Sequence, residues 1–357
     1  MKRDLDALAS VQMERGIALL KEGTPDALRG AIRCFEEAIE LRGRLPLAEN
    51  AGFRYGLAGG WINRGDALTR LGGLGNLVDA VNSYATAIEL LKDPPAGDDG
   101  RFAIRLAIAW MNRGIALEEQ TSEPAMAEAA HSYEEAVKVL SHSHRAADAR
   151  HEMVLASAWI NFGNALLRSA GSGRAEQAGE AAGSALSLLA EAESKDLAAA
   201  EAGLKARHIL CQSLAARLDA PSGGVSTQMD LIGKLTDAAE DALTLAQKWE
   251  MAGEKCFRPL ATQFFHLSAL VYEKHQPHFL AEFLLEHLDR ERATCFAPVS
   301  ESWLAIGRES LSRIRRAWSE RGFEWLATPQ GARRLQTLKE LNAAEARLQA
   351  LRESKGK

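Results

Sequence analysis

Apolar residues recur at helical spacing along most of the chain. In "AIRCFEEAIEL" (31–41), "AVNSYATAIEL" (80–90) and "AAHSYEEAVKV" (129–139) they fall at i, i+4, i+7 and i+8. This spacing places them in one stripe of an amphipathic helix. Runs that alternate apolar and polar residues and are rich in β-branched side chains, as strands are, are hard to find. The pattern therefore predicts an all-α chain.

The helical pattern repeats with a period of 49 residues. The clearest marker is a glycine, found at Gly16, Gly65, Gly114 and Gly163. The same step relates four alanines further on, Ala38, Ala87, Ala136 and Ala185. The position three residues before this alanine holds Phe35, Tyr84 and Tyr133, with Ala182 in the fourth copy. Four copies without an insertion predict four stacked structural units.

Each copy contains the patterns of two helices. The first helix carries the related phrases "GWINRGDAL" (60–68), "AWMNRGIAL" (109–117) and "AWINFGNAL" (158–166). The amphipathic stripe described above forms the second helix. Turn signals such as "KEGTPD" and "EQTSEP" separate the two, and Thr24-Pro25 and Ser122-Glu123-Pro124 are typical starts of a helix.

This two-helix unit resembles the tetratricopeptide repeat. The pattern W-x-x-x-G-x-A in the first helix and A-x-x-x-[FY]-x-x-A in the second carry the resemblance, which covers residues 10–190. It implies a right-handed helical-repeat solenoid that binds other proteins. The usual unit has about 34 residues, so this unit is longer. The first copy has Gln12 in place of the Trp, as terminal repeats often depart from the pattern.

The surplus length can be located in the sequence. Roughly three residues lengthen the turn within the unit, and roughly twelve precede the next first helix. There "FRYGLAGGW", "FAIRLAIAW" and "HEMVLASAW" are apolar at helical spacing. These stretches predict N-terminal extensions that bring the first helices to about 20–25 residues, or about 30–38 Å.

Beyond about residue 190 the 49-residue step is lost, although helical patterning continues. We therefore divide the chain into four repeats (1–190), a degenerate helical-repeat extension (191–298) and C-terminal capping helices with a basic tail (299–357). The last helix has a narrow leucine stripe that either caps the solenoid or pairs with a second chain, giving a homo-oligomer. Its members are Leu335, Leu338, Leu341, Leu348 and Leu351.

The resemblance also implies where a partner would bind. In the family, the position two residues after the Trp commonly faces the groove; here it holds Asn63, Asn112 and Asn161. Three residues further on are Asp66, Ile115 and Asn164. Asparagines both donate and accept, so this series can bind a peptide backbone. The alternative is that each asparagine bonds the adjacent repeat and sets the twist of the array.

Arg64 and Arg113, together with Arg15, form another periodic series, at a position where the family usually has an apolar residue. They either present cations to an acidic peptide or pair with acids of the neighbouring repeat while their stems pack. A clamp for a C-terminal carboxylate is not predicted, because the nearby first-helix positions hold no cation. Those positions are Ile62, Ile108, Met111 and Ser157.

No pattern predicts catalysis, a cofactor or a metal site. The four cysteines, Cys34, Cys211, Cys256 and Cys295, form no C-x-x-C pair. Two groups of histidines lack the partners of a zinc site: His142, His144 and His151, and His275, His278 and His287. The "GGLGN" stretch lacks the lysine of a phosphate-binding loop.

Composition narrows the classes of function. Hydrophobic residues make up 46% and charged residues 25% of the chain, as in globular proteins. The net charge of −5 does not indicate a nucleic-acid partner, although residues from 308 onward hold 12 Lys and Arg against 6 Glu. No apolar run predicts a signal peptide or a membrane span, so we expect a cytoplasmic protein without a membrane partner.

These observations lead to a function prediction. We expect a non-enzymatic protein–protein interaction scaffold or adaptor that binds a peptide or helix of a partner protein in the concave groove. One alternative is an enzyme or regulator whose site lies in the aromatic C-terminal helical region, around Phe264, His266, His275 and Trp303. A second alternative is a helical self-assembly module.

Overall fold

The computed structural model describes residues 2–95, 98, 100–143, 148–169, 172–219, 224–277, 279–288 and 301–319. It also describes residues 336, 339–340, 342–344, 346–347 and 349–350. The regular structure of all these residues is α-helical, without a strand among them, which confirms the predicted all-α class. The chain divides into two compact units, Met1–Glu193 and Ser194–Lys357.

The first unit, Met1–Glu193, consists of four helix pairs. The first helices of the pairs are α1 (Lys2–Glu22), α3 (Ala51–Leu71), α5 (Arg101–Glu118) and α7 (Ala149–Arg168). The second helices are α2 (Pro25–Gly43), α4 (Leu74–Leu91), α6 (Glu123–Ser141) and α8 (Ser172–Leu189). Each helix packs against the next along the chain, and each first helix also contacts the following first helix. The unit is therefore a helical-repeat array, as the 49-residue period predicts.

The predicted N-terminal extensions of the first helices are present. Helices α3 and α7 begin at Ala51 and Ala149, ten residues before the tryptophan of their repeat. Helices α1, α3 and α7 contain 21, 21 and 20 residues, within the predicted range. Helix α5 is shorter, with 18 residues: relative to α3 it begins one repeat position later, after Gly100 with its φ of 90°, and ends two positions earlier.

Two second helices begin at the predicted caps. The Thr24 hydroxyl accepts a hydrogen bond from the backbone N–H of Ala27 at 3.3 Å, and Ser122 accepts one from Ala125 at 3.4 Å. A proline stands in the first turn of both helices, where its missing N–H would have no helical partner.

The repeated glycine permits close packing of the two helices of a pair. Three pairs share the same glycine–aromatic contact: Gly16–Phe35, Gly65–Tyr84 and Gly114–Tyr133. A Cβ atom built on Gly114 would lie 2.5 Å from Cε1 of Tyr133, a ring that is 1% exposed. The aromatic ring packs directly against the glycine, which explains why the two residues recur together in the sequence.

The second unit, Ser194–Lys357, is also helical. Its described helices are α9 (Leu197–Asp219), α10 (Val225–Met251), α11 (Phe257–His275), α12 (Leu280–Leu288) and α13 (Glu301–Ser319). Helix α10 packs against α9 and α11, and α11 contacts α12 and α13. Its largest core cluster is rich in aromatic side chains, including Phe257, Phe264, Phe265, Tyr272 and Phe283. The five leucines of the predicted C-terminal stripe lie outside the described residues.

Candidate functional site

The first helices of the repeat array border a pocket of about 580 Å³. Most of its lining comes from α1, α3 and α5, with Arg42 of α2 and Arg150 of α7. Apolar side chains such as Met13 and Ile62 alternate with polar ones such as Asn63. The pocket can therefore contact both apolar and polar groups of a ligand.

Equivalent positions of successive repeats form the wall of this pocket. Between α1 and α3, four pairs of lining residues are separated by 49 positions: Ser10 and Gly59, Met13 and Ile62, Glu14 and Asn63, and Ile17 and Asp66. These positions are spaced three and four residues apart, so they share one side of each helix. The same positions in α5 and α7 are Ile108, Met111, Asn112 and Ile115, then Ser157, Ile160, Asn161 and Asn164. We call the surface formed by these four sets the first-helix face.

The predicted asparagine series divides into two groups. The Asn112 amide donates a hydrogen bond to the Asp66 carboxylate at 2.8 Å, which links α5 to α3. Asn63, Asn161 and Asn164 are half-buried, and their side chains form no hydrogen bond with other described residues. The first group ties neighbouring repeats together, whereas the second leaves polar groups open on the first-helix face.

Asp66 of α3 forms hydrogen bonds to two other helices. Its carboxylate accepts a hydrogen bond from the Tyr84 hydroxyl of α4 at 2.7 Å as well as the bond from Asn112 of α5. Burial raises the pKa of Asp66, and the two hydrogen bonds and the charge of Arg70 oppose this effect. In the next repeat, the carboxylate of Glu118 pairs with Arg168 at 3.1 Å, and burial raises the pKa of Glu118 too, against the charge of Arg168.

The raised pKa of Asp66 predicts a pH dependence of stability. Between the unfolded-state pKa of about 3.9 and the higher folded-state pKa, the folded chain holds a proton that the unfolded chain has released. The free energy of unfolding therefore falls as the pH rises through this window. We expect wild type to lose stability relative to Asp66→Asn, which cannot titrate, as the pH rises there.

Urea unfolding of both proteins across a pH series tests this expectation. Because Glu118 titrates in both proteins, the difference between their free energies of unfolding reports on Asp66 alone. If this difference stays constant, or if wild type becomes the more stable protein as the pH rises, burial does not disfavour the charged form of Asp66.

Arg64 and Arg113 lie beside second helices. Arg64 donates hydrogen bonds to Glu36 of α2 at 3.0 Å and to Ser83 of α4 at 2.7 Å. Arg113 makes the equivalent contact with Ser132 of α6 at 2.7 Å, but its acidic partner, at 2.9 Å, is a glutamate of α6 in its own helix pair. Each guanidinium carbon is 5.8 Å from the ring centroid of the tryptophan three residues earlier. Both cations thus have partners within the array, and their role in binding another protein stays a prediction.

Four arginines that sequence reasoning missed line the pocket on the first-helix face. We call them the arginine cluster: Arg42, Arg101, Arg105 and Arg150. One signal was available, because Arg101 and Arg150 are separated by the 49-residue step and Arg105 follows Arg101 by one helical turn. Arg101, Arg105 and Arg150 lie in the N-terminal extensions, outside the motif that carries the family resemblance, and Arg42 lies near the end of α2.

Tyr55 of α3 positions two members of the cluster. The guanidinium carbon of Arg105 is 3.5 Å from the Tyr55 ring centroid, and its Nη1 donates to the Tyr55 carbonyl at 2.8 Å. Arg101 lies 5.4 Å from the same ring. Burial, together with the charges of Arg150, Arg42 and Arg101, lowers the pKa of Arg105. The cluster therefore concentrates positive charge that is only partly exposed to water.

Two glycines of α3 leave space for these guanidinium groups. A Cβ atom on Gly56 would lie 3.2 Å from Cζ of Arg42, and one on Gly59 would lie 3.1 Å from Nη1 of Arg105. The corresponding positions of the next repeat hold Arg105 and Ile108. The second repeat thus has small residues where the third repeat has large ones.

The residues predicted for an alternative site in the C-terminal region occupy different environments. Phe264 is buried in the core beside His208, whereas His266, on the same helix, is exposed. His275 is half-buried at the end of α11, where burial lowers its pKa. Trp303 belongs to α13, but its side chain lies outside the described residues.

In the part of the chain that the structure describes, no three His, Cys, Asp or Glu side chains are placed to hold a metal ion. His144, His278 and Cys295 from the sequence analysis lie outside that part. Among the same described residues, no helix combines the length and the apolar character that a membrane crossing requires.

Comparison with known proteins finds matches among solved structures only. No family model and no curated protein sequence matches the chain. One solved structure, a circular tandem repeat protein with novel repeat topology and enhanced subunit contact surfaces, aligns with a TM-score of 0.37 and 17% sequence identity. The alignment covers 99% of this chain and 86% of the other. The assignment to the helical-repeat class thus rests on the chain's own helix packing and 49-residue period.

Proposed function

We propose that the chain is a non-enzymatic scaffold or adaptor that binds a peptide or helix of another protein on its first-helix face. The observation that carries this proposal is the mixed character of that face. Ile17 and Ile115 are 37% and 40% exposed, and Asn63, Asn161 and Asn164 have no hydrogen-bonding partner among the described residues. Exposed apolar side chains beside open amides suit a polypeptide ligand, which has both kinds of group.

The repeat architecture supports the same proposal. Each first helix contacts the next, so equivalent positions continue from repeat to repeat and can follow an elongated ligand. We further infer that the unit is a variant of the tetratricopeptide repeat with a lengthened first helix. Its glycine–aromatic contact, as in Gly114–Tyr133, involves the positions that carry the sequence resemblance.

Site-specific photo-crosslinking tests which face binds a partner. A photoreactive amino acid is placed at Asn63, Ile115 or Asn161, and at Val78 as a control, since Val78 is 45% exposed on a second helix. We expect the three first-helix positions to crosslink to one segment of a single partner protein, identified by mass spectrometry. Equal crosslinking from Val78, or crosslinks from the three positions to unrelated proteins, would refute the assignment of the face.

An affinity measurement on the identified partner complements the crosslinks. The double change Asn63→Ala and Asn161→Ala removes open amides without breaking a hydrogen bond among the described residues. We expect it to weaken binding about tenfold and to leave stability unchanged. Asn112→Ala is unsuitable for this purpose, because it removes the bond to Asp66 and lowers stability directly.

A further inference from the structure

The arginine cluster contrasts with the charge of the unit around it. Residues 1–193 contain 20 Lys and Arg against 27 Asp and Glu, a net charge of −7. The pocket on the first-helix face is nevertheless lined by four arginines, and only Glu14 and Asp66 among its lining residues are acidic. Positive charge is therefore gathered at one place on an acidic unit.

Two of the four arginines have acidic partners. Arg42 contacts Asp6 at 3.3 Å, and it also donates to the Gly56 carbonyl at 2.8 Å and to the Ser10 hydroxyl at 3.3 Å. Arg101 lies 3.6 Å from Asp98. These contacts fix the two side chains and offset part of their charge.

The other two, Arg105 and Arg150, have no ion-pair partner among the described residues. Arg105 uses one nitrogen on the Tyr55 carbonyl and stacks on the Tyr55 ring, which leaves its remaining N–H groups available. Arg150 is exposed at the start of α7. Burial and the neighbouring arginines disfavour the charged form of Arg105, and its pKa is lowered. An anion in the pocket would relieve this repulsion and accept charge-assisted hydrogen bonds.

The surroundings of the cluster favour a peptide over a polyanion. Ile17, which is 37% exposed, and the half-buried Ile108 line the same pocket, so apolar groups of the ligand would be buried beside its anionic ones. A nucleic acid presents a continuous row of phosphates, and the net negative charge of this unit would repel most of that row. A segment that combines carboxylates with apolar side chains matches both features of the pocket.

We propose that the arginine cluster is a subsite for the Asp and Glu side chains of an acidic, partly apolar partner segment, with Arg101, Arg105 and Arg150 as the binding cations. This inference rests on the proposed function and specifies the chemistry of the partner. The cations belong to the N-terminal extensions of α5 and α7, so the lengthening of the repeat creates this subsite.

Fluorescence anisotropy with the full chain tests the subsite. The probe is a labelled synthetic peptide of about 12 residues, long enough to span several helices, in which Glu alternates with Leu. A matched peptide has Gln at every Glu. We expect the Glu peptide to bind at least about tenfold more tightly than the Gln peptide, and its affinity to fall as salt is raised.

Charge-reversal variants locate the binding site. Arg101→Glu and Arg150→Glu alter exposed side chains. We expect each to lower the affinity for the Glu peptide at least about tenfold. Arg29→Glu is the matched control: it causes the same change in net charge on the exposed surface of α2, and we expect less than about a twofold effect. Thermal unfolding of each variant confirms that the fold is retained.

Several outcomes would overturn the proposal. Equal affinity for the Glu and Gln peptides would show that carboxylates are not recognised, and an Arg29→Glu effect as large as that of Arg150→Glu would show only bulk attraction. Tighter binding of an oligothymidylate of about 12 nucleotides that depended on Arg150 would assign the subsite to phosphates. None of these results would refute the proposed binding face, because the crosslinking test locates that face without reference to charge.

Discussion

Replacing Gly114 with alanine is expected to lower the free energy of unfolding by about 2–3 kcal/mol. The new Cβ atom would lie 2.5 Å from a ring carbon of Tyr133, and neither helix can move freely because both pack against the neighbouring repeats. Urea unfolding monitored by circular dichroism measures the change. Gly65→Ala, which meets Tyr84 at 2.6 Å, should behave in the same way.

A matched glycine in a second helix separates this clash from helix propensity. A Cβ atom on Gly183 of α8 would meet no atom within 4 Å, so Gly183→Ala should stabilise the chain by about 0.5–1 kcal/mol. Combining Gly114→Ala with Tyr133→Ala should remove most of the cost of the new methyl group. A cost that persists without the ring would mean that the glycine serves another purpose.

The change Asp66→Ala is expected to cost about 2–3 kcal/mol of stability. It removes the acceptor of two hydrogen bonds and leaves the buried Tyr84 hydroxyl and the half-buried Asn112 amide without this partner. Since these groups belong to α3, α4 and α5, the loss loosens both a helix pair and the contact between repeats. Chemical unfolding of the variant at neutral pH gives the value.

Neighbouring positions supply the controls for this prediction. Asn63→Ala, on the same helix and without a hydrogen bond to described residues, should change stability by less than about 0.5 kcal/mol. A double-mutant cycle of Asp66→Ala and Asn112→Ala measures the coupling between repeats, for which we expect about 1 kcal/mol or more. Additive effects would show that the bond between the repeats contributes nothing to stability.

The asparagines of the first-helix face show that the local sequence pattern does not predict which of them forms a hydrogen bond. Asn63 and Asn112 occupy equivalent positions in nearly identical phrases, yet Asn112 has a carboxylate within reach on the preceding repeat and Asn63 does not. The residue equivalent to Asp66 in the first repeat is Ile17, which cannot accept a hydrogen bond. The role of each asparagine therefore depends on one residue 46 positions earlier.

The same dependence explains why the arginine cluster was missed. Arg42 lies near the end of a second helix, whereas Arg101, Arg105 and Arg150 lie near the starts of two different first helices. Only Arg101 and Arg150 are related by the repeat period. The remaining convergence results from the stacking of repeats and from the space that Gly56 and Gly59 leave beside the guanidinium groups.

The sequence by itself determined the all-α class, the 49-residue unit, the lengthened first helices and the recurrence of a glycine in all four repeats with an aromatic residue in three of them. These features follow from local helix periodicity and from contacts that recur from repeat to repeat, so a pattern along the chain records them. Only the tertiary structure decided which polar side chains form hydrogen bonds between helices of the array and which do not. It also decided which arginines share a pocket. Those outcomes depend on contacts between different repeats, whose side chains differ from copy to copy, and on the burial that sets their charge and hydrogen bonding.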